Sequence, residues 1–143
     1  MRKRTQARET ALQLLYQYDL TGEKNIDEFL KGVDERTDVQ EYARLLVAGV
    51  IENLSELDAQ IARVSENWRL NRTAAVDRCA LRIGLYELLN CPEVPPKVAI
   101  NEAIDLAKKF SAEQSGAFVN GILDKLYGQL RESGESTPGN VAR

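Results

Sequence analysis

An all-α fold follows from three features of this sequence. Apolar residues recur at intervals of three and four along almost its whole length. No segment alternates with period two over the length a strand requires, and the interruptions fall at glycines, prolines and capping residues. With 143 residues, 43% of them hydrophobic, the chain can bury one real core but is too short for two independent ones. The expected organisation is a single helical domain over residues 1–130. It forms a compact bundle of two packed helical subdomains, about 1–68 and 71–130, followed by a flexible polar tail at 131–143 with no periodic face.

The first helix is expected over about residues 5–20, with Ala7, Ala11, Leu14, Leu15 and Tyr18 on one face and Thr21-Gly22 ending it. Asn25 and Glu28 have capping-box spacing ahead of Ile26, Phe29, Leu30 and Val33, which gives a short amphipathic helix. Thr37 with Gln40 opens the next. From there Val39, Tyr42, Leu46, Val50, Leu54, Leu57, Ile61, Val64 and Trp68 hold one stripe over about eight turns, which predicts a single long, largely buried helix as the spine of the molecule. After a break at residues 71–73, Val76, Ala80, Ile83, Leu85, Leu88 and Leu89 make a further helix, stopped by Cys91-Pro92-Glu93-Val94-Pro95-Pro96. The prolines start another, carrying Val98, Ala99, Ala103, Ile104, Ala107 and Phe110. Ser111 with Gln114 is a third capping box, opening a last helix with Phe118, Val119, Ile122, Leu123, Leu126 and Leu130.

Composition removes several function classes. The longest apolar run spans positions 45–51. It falls far short of a membrane span, which needs roughly 20 residues. Gln13, Gln17 and Asp19 break the stretch after the basic N-terminus, which a secretory signal would not tolerate, so a cytoplasmic location is expected. There is no histidine, the commonest general base and zinc ligand. Cys79 and Cys91 on one helix would stand about 18 Å apart, too far to pair. They read as structural thiols. Glu102 and Asp105 share a helical face, but with no third ligand or phosphate loop beside them they read as solvated. No enzymatic activity, cofactor or metal is expected.

Charge is distributed unevenly. Net charge is −3, yet Arg2, Lys3, Arg4 and Arg8 place four of the 19 Lys and Arg in the first eight residues, leaving 15 against 22 acids. Cations at a helix N-terminus oppose the macrodipole, so they suit an external anion, with a solvated, disordered start as the alternative. Phe118, close after the Ser111–Gln114 turn, could stack on an unpaired base or lie in the core. Gly49, Gly84 and Gly121 each cost a helix about 1 kcal/mol relative to Ala. Close helix packing is the first explanation, with room for a ligand as the alternative at Gly121.

Four blocks of residues in fixed order make the chain similar to a known family. They are Arg4-x-x-x-Arg8-Glu9-x-Ala11-x-Gln13-x-Leu15-Tyr16, Ala80-Leu81-Arg82-Ile83-Gly84-Leu85-Tyr86-Glu87-Leu88, Val98-Ala99-Ile100-Asn101-Glu102-Ala103-Ile104-Asp105-Leu106-Ala107-Lys108-Lys109-Phe110, and Phe118-Val119-Asn120-Gly121-Ile122-Leu123-Asp124. Over about residues 4–127 the chain resembles the NusB family of bacterial transcription antitermination factors. The resemblance implies a two-lobed all-α fold and binding to boxA-type single-stranded RNA jointly with NusE, a ribosomal small-subunit protein. It further implies that the pair joins the elongating RNA polymerase complex with other Nus factors and supports ribosomal RNA transcription. It assigns RNA contact to Arg2, Lys3, Arg4, Arg8, Gln114 and Phe118, and contact with NusE to Tyr16 and Asp77. Ala117 departs from the pattern, since many members carry a basic residue there. A homodimer is a further possible partnership, and a helical protein adaptor without RNA contact is the rival reading. The fold also occurs appended to RNA cytosine methyltransferases, which in this chain would call for a separate catalytic partner.

Overall fold

A computed structural model describes residues 3–22, 37–65 and 74–133. Among these residues there are six helices and no strand: α1 (Lys3–Thr21), α2 (Thr37–Glu52), α3 (Leu54–Val64), α4 (Ala75–Asn90), α5 (Pro96–Phe110) and α6 (Ser115–Ser133). The all-α expectation holds. The short helix expected after Asn25, Trp68, the break at 71–73 and the polar tail beyond Ser133 lie outside the described residues.

The spine is not where the apolar stripe predicted it. The stripe from Val39 onward is divided at Asn53, whose backbone leaves helical geometry (φ −111, ψ 18). Its Nδ2 donates to the Gly49 carbonyl at 2.8 Å, and the backbone N–H of Asn53 turns to the same oxygen at 3.1 Å. A side chain that competes for a helix's own carbonyl bends the helix. α2 then packs on α1 and α4, whereas α3 turns onto α4 and α6.

The central element is α4, which touches all five other helices and is buried nearly all round. Its periodic stripe understated this because Asp77, Arg82 and Glu87 are also buried. Two glycines let neighbours approach. A Cβ on Gly84 would stand 2.9 Å from Leu123 Cδ1 and 3.0 Å from the Ala103 Cβ, and one on Gly49 would run into the Tyr86 ring. At Gly121 the packing explanation fails, since a Cβ there meets nothing within 4 Å.

α5 begins as expected, with Pro96 in its first turn after an extended Pro95. It runs parallel to α1, because Thr5 reaches Glu102 and Glu9 reaches Lys109. The third capping box is corrected: Ser111 is the C-terminal cap of α5 and α6 starts at Ser115. The Ser115 hydroxyl is within 3.1 Å of both Asp77 Oδ2 and the Ser111 hydroxyl, so the turn is tied to α4. No helix among the described residues is long and apolar enough to cross a membrane.

Candidate nucleic-acid interface and partner groove

The basic start of α1 sorts into residues facing out and one facing in. Arg2 lies outside the described residues. Lys3 is exposed and pairs with Asp38 at 2.8 Å, and its ammonium holds the Asp38 carboxyl below its ordinary value. The Arg4 guanidinium lies 3.9 Å from the centroid of the Tyr42 ring and donates to Glu93 at 3.3 Å. Both ion pairs are solvent-exposed and screened by water, so a phosphate can displace either acid at small cost.

Arg8 faces inward. Only 3% of it is exposed, and its Nε donates to both oxygens of Glu87, at 3.0 and 2.9 Å, while Nη1 donates to Glu102 at 2.9 Å. Nε and Nη1 of Arg8 are turned to carboxylates and the residue is nearly enclosed, so it offers little surface for the direct RNA contact expected of it. Glu87 is 0% exposed and also accepts the Tyr42 hydroxyl, and the Thr5 hydroxyl donates to Glu102 at 2.7 Å. Burial pushes the Glu87 carboxyl above its ordinary value, opposed by Arg8 and the Tyr42 hydroxyl. Burial, then the Glu87 charge, pushes the Tyr42 hydroxyl up as well. Arg4 thus rests on a ring whose far end is clamped by a buried ion pair. Arg8 positions the cationic edge rather than extending it.

Gln114 is exposed in the α5–α6 turn, and Phe118 is half-buried one turn into α6, packed against the core on one side. Core packing and residual exposure coexist in Phe118. Gln114 and Phe118 follow the C-terminal end of α5, while Arg4 sits at its N-terminal end. Between them stands the whole of α5, which is 15 residues long. At roughly 1.5 Å per residue, the separation is about 20 Å. The structure does not gather the assigned RNA contacts into one patch; it sets them beyond the two ends of α5.

The two residues assigned to a protein partner also differ. Tyr16 is 39% exposed and lines a groove of about 540 Å³ with Leu12, Gln17, Leu20, Val76 and Phe110. Leu20 is 65% exposed there, so among the described residues the groove is an open apolar surface. Asp77 is instead buried, accepting from Ser115 through Oδ2, and its Oδ1 has no partner among the described residues. It offers no surface to a docking protein and joins α4 to α6.

Sequence reasoning missed a second network behind this groove. Arg82 donates to both oxygens of Asp58 at 2.8 Å and reaches Asp19 at 3.5 Å, while Arg78 pairs with Asp19 at 2.5 Å. It also treated Glu102 as solvated, whereas Glu102 holds Arg8 and Thr5; Asp105 is exposed. One signal was legible: Arg82 and Glu87 stand alone among apolar neighbours in α4, where a charge survives only if paired. Both cysteines are buried free thiols.

A helical binding scaffold with a cationic edge at one end of α1 and an apolar groove at the other is the class these features define. The sequence pattern of the NusB family matches residues 5–128. The transcription antitermination protein NusB of Pelotomaculum thermopropionicum is 46% identical over 126 residues, covering 86% of this chain and 88% of that protein. The solved NusB of T. maritima superposes with a TM-score of 0.78 at 40% identity, covering 86% of this chain and 89% of that one. A crystal structure of antitermination factors NusB and NusE in complex with double-stranded RNA contains a chain that superposes with a TM-score of 0.77 at 34% identity, covering 90% of this chain and 98% of that one. The chain belongs to the NusB family.

Proposed function

We propose that this protein is a transcription antitermination factor without enzymatic activity. It binds boxA-type single-stranded RNA jointly with NusE and joins the elongating RNA polymerase complex with other Nus factors in the bacterial cytoplasm. The observation that carries the reading is the likeness, over 90% of this chain, to a protein solved together with NusE and RNA. The cationic edge supports it, since single-stranded RNA is held by backbone contacts from cations together with base stacking on aromatic rings. In this reading Arg2, Lys3 and Arg4 take phosphates, Gln114 and Phe118 meet RNA at the other end of α5, and the Tyr16 groove takes NusE. Asp77 acts from behind the groove, through Ser115.

The test is a titration of labelled boxA-type RNA with this protein, alone and with NusE, against a scrambled RNA and a duplex of the same length. Preference for the single strand that tightens with NusE is the expected result. One observation favours a second reading, a protein-only adaptor: Arg8 is internal and Lys3 and Arg4 are already paired with acids. Equal weak binding to all three RNAs, with NusE still bound, would establish that reading instead.

A further inference from the structure

Beside the cationic edge is a small pocket of about 310 Å³, lined by Arg4, Thr5, Glu93, Val94, Pro95 and Val98, with Arg8 behind them. It lies between the start of α1 and the turn that leads into α5. That volume is at the lower end for ligand sites, suited to one heterocycle rather than to a peptide or a whole helix. Its lining has two characters. Val98, an exposed apolar side chain, and Pro95 offer a dry face, while Arg4 and Glu93 offer a guanidinium and a carboxylate 3.3 Å apart. The activity proposed above makes no use of Glu93, Pro95 or Val98.

We infer that this pocket receives one unstacked guanine base of the bound RNA, with the Glu93 carboxylate reading its Watson–Crick edge. The inference rests on the RNA-binding reading above. A pocket for phosphate alone would not place a carboxylate at its mouth or an apolar wall beside it. A base needs both a flat apolar contact and an edge partner. An ionised carboxylate only accepts hydrogen bonds. Among the four bases guanine alone presents two parallel donors, its ring N1–H and its 2-amino group, to the two oxygens of one carboxylate. Adenine and cytosine set a ring nitrogen acceptor beside their amine, and uracil flanks its single N–H with two carbonyls, so each turns a lone pair toward Glu93.

The Arg4–Glu93 pair is exposed on both sides, which makes it cheap to open. When it opens, Arg4 remains seated on Tyr42 and is available to the phosphate of the same nucleotide. Arg4 thereby supplies affinity that does not depend on sequence, and Glu93 supplies discrimination.

The test uses the full-length protein and labelled oligouridine strands of equal length carrying one central guanosine, inosine, adenosine or cytidine. The wild-type protein is expected to bind the guanosine strand about tenfold more tightly than the other three, the usual scale for a lost bidentate base contact. Inosine differs only by the missing 2-amino group, so its loss isolates that contact. Glu93→Gln, which replaces one acceptor by a donor, is expected to abolish the guanosine preference, because a side-chain amide cannot accept both guanine donors and matches the donor–acceptor edges of adenine and cytosine instead. Arg4→Ala is expected to weaken all four strands equally.

Binding of all four strands with equal affinity by the wild-type protein, or a Glu93→Gln variant that keeps the guanosine preference, overturns the subsite while leaving RNA binding intact. Failure of the wild-type protein to bind any strand, or boxA-type RNA with NusE present, overturns the RNA reading itself and the subsite with it. Glu93 is exposed, and a circular dichroism melt matching the wild type confirms that each variant is folded.

Discussion

The two ends of α1 are built alike inside and differ outside. At the N-terminal end a buried arginine, Arg8, meets a buried glutamate of α4, and the surface above them is cationic. At the C-terminal end the order is reversed: α1 contributes the acid, Asp19, α4 contributes Arg78 and Arg82, and the surface beside them is the Tyr16–Leu20 groove. One helix thus carries exposed cations at one end and an apolar groove at the other. Neither surface is independent of the core, since each rests on ion pairs that fix α1 against α4. Non-directional apolar packing holds the helices together, whereas hydrogen-bonded ion pairs fix their rotation and register.

The difference between the ends is tested hardest by removing the acid beneath each surface. Glu87→Ala leaves Arg8 buried with only Glu102 and should cost about 3–5 kcal/mol, read from urea unfolding. Asp58→Ala is expected to cost less, about 1–3 kcal/mol. Asp58 is a quarter exposed, and Arg82 retains Asp19. Equal losses at the two ends would show that the N-terminal network is no more enclosed than the other.

Each end also carries one thiol, which gives a pH test. Burial pushes Cys79, beside Arg82 and Asp19, up to about 12, and burial followed by the Glu87 charge pushes Cys91 up to about 11. In the unfolded chain both ionise near their ordinary value of 9.0. Above that pH the unfolded state binds fewer protons, so stability falls as pH rises. Each thiol should contribute a loss of about 1.4 kcal/mol per pH unit, ending near 11 for Cys91 and continuing to near 12 for Cys79. Unfolding of Cys79→Ala and Cys91→Ala across about pH 8–10.5 separates the two shares. A flat wild-type profile would mean that the thiols are less enclosed than the packing shows.

The outer surfaces are separated by binding. Phe118→Asp should weaken RNA binding by about 1–3 kcal/mol, the range for a lost base stack, and leave NusE binding unchanged. Tyr16→Ala should do the reverse, lowering NusE affinity in a pull-down or calorimetric titration while RNA binding by the isolated protein stays as it was. With Arg8 internal, the slope of log affinity against log salt should be about −2, from Arg2, Lys3 and Arg4 at roughly 0.7 each. A slope near −3 would return Arg8 to the contact set. The smallest effect belongs to Gly121→Ala, where a new Cβ meets open space. There the helix should gain up to about 1 kcal/mol, visible as a higher urea midpoint. If that variant also loses RNA affinity, Gly121 marks a surface that RNA approaches closely.

Much of the fold was legible because helical periodicity and caps are local properties. α1, α4 and α5 begin and end within a few residues of the signals that predicted them, α2 begins where its cap does, and Gly49 and Gly84 pack closely as expected. The bend at Asn53 was not legible, since an asparagine in a helical stripe carries no sign that its amide will take the Gly49 carbonyl. Nor was the central position of α4, because its three buried charged residues disguised a helix enclosed on every side. The site was legible unevenly for the same reason. Lys3 and Arg4 are exposed, while Arg8, one turn further along, rotates into the core.

Local pattern and composition were enough to establish the helical class, the absence of histidine and the four blocks that mark the NusB family. Which charges face water was settled by packing alone. Arg8, Tyr42, Glu87 and Glu102 lie on four different helices, with Arg8 and Glu102 94 positions apart, and meet only when α1, α2, α4 and α5 pack. A guanidinium carries the same charge in either setting. Whether it binds a phosphate or holds a helix in place depends on the carboxylates brought beside it, and no local stretch of chain contains that information.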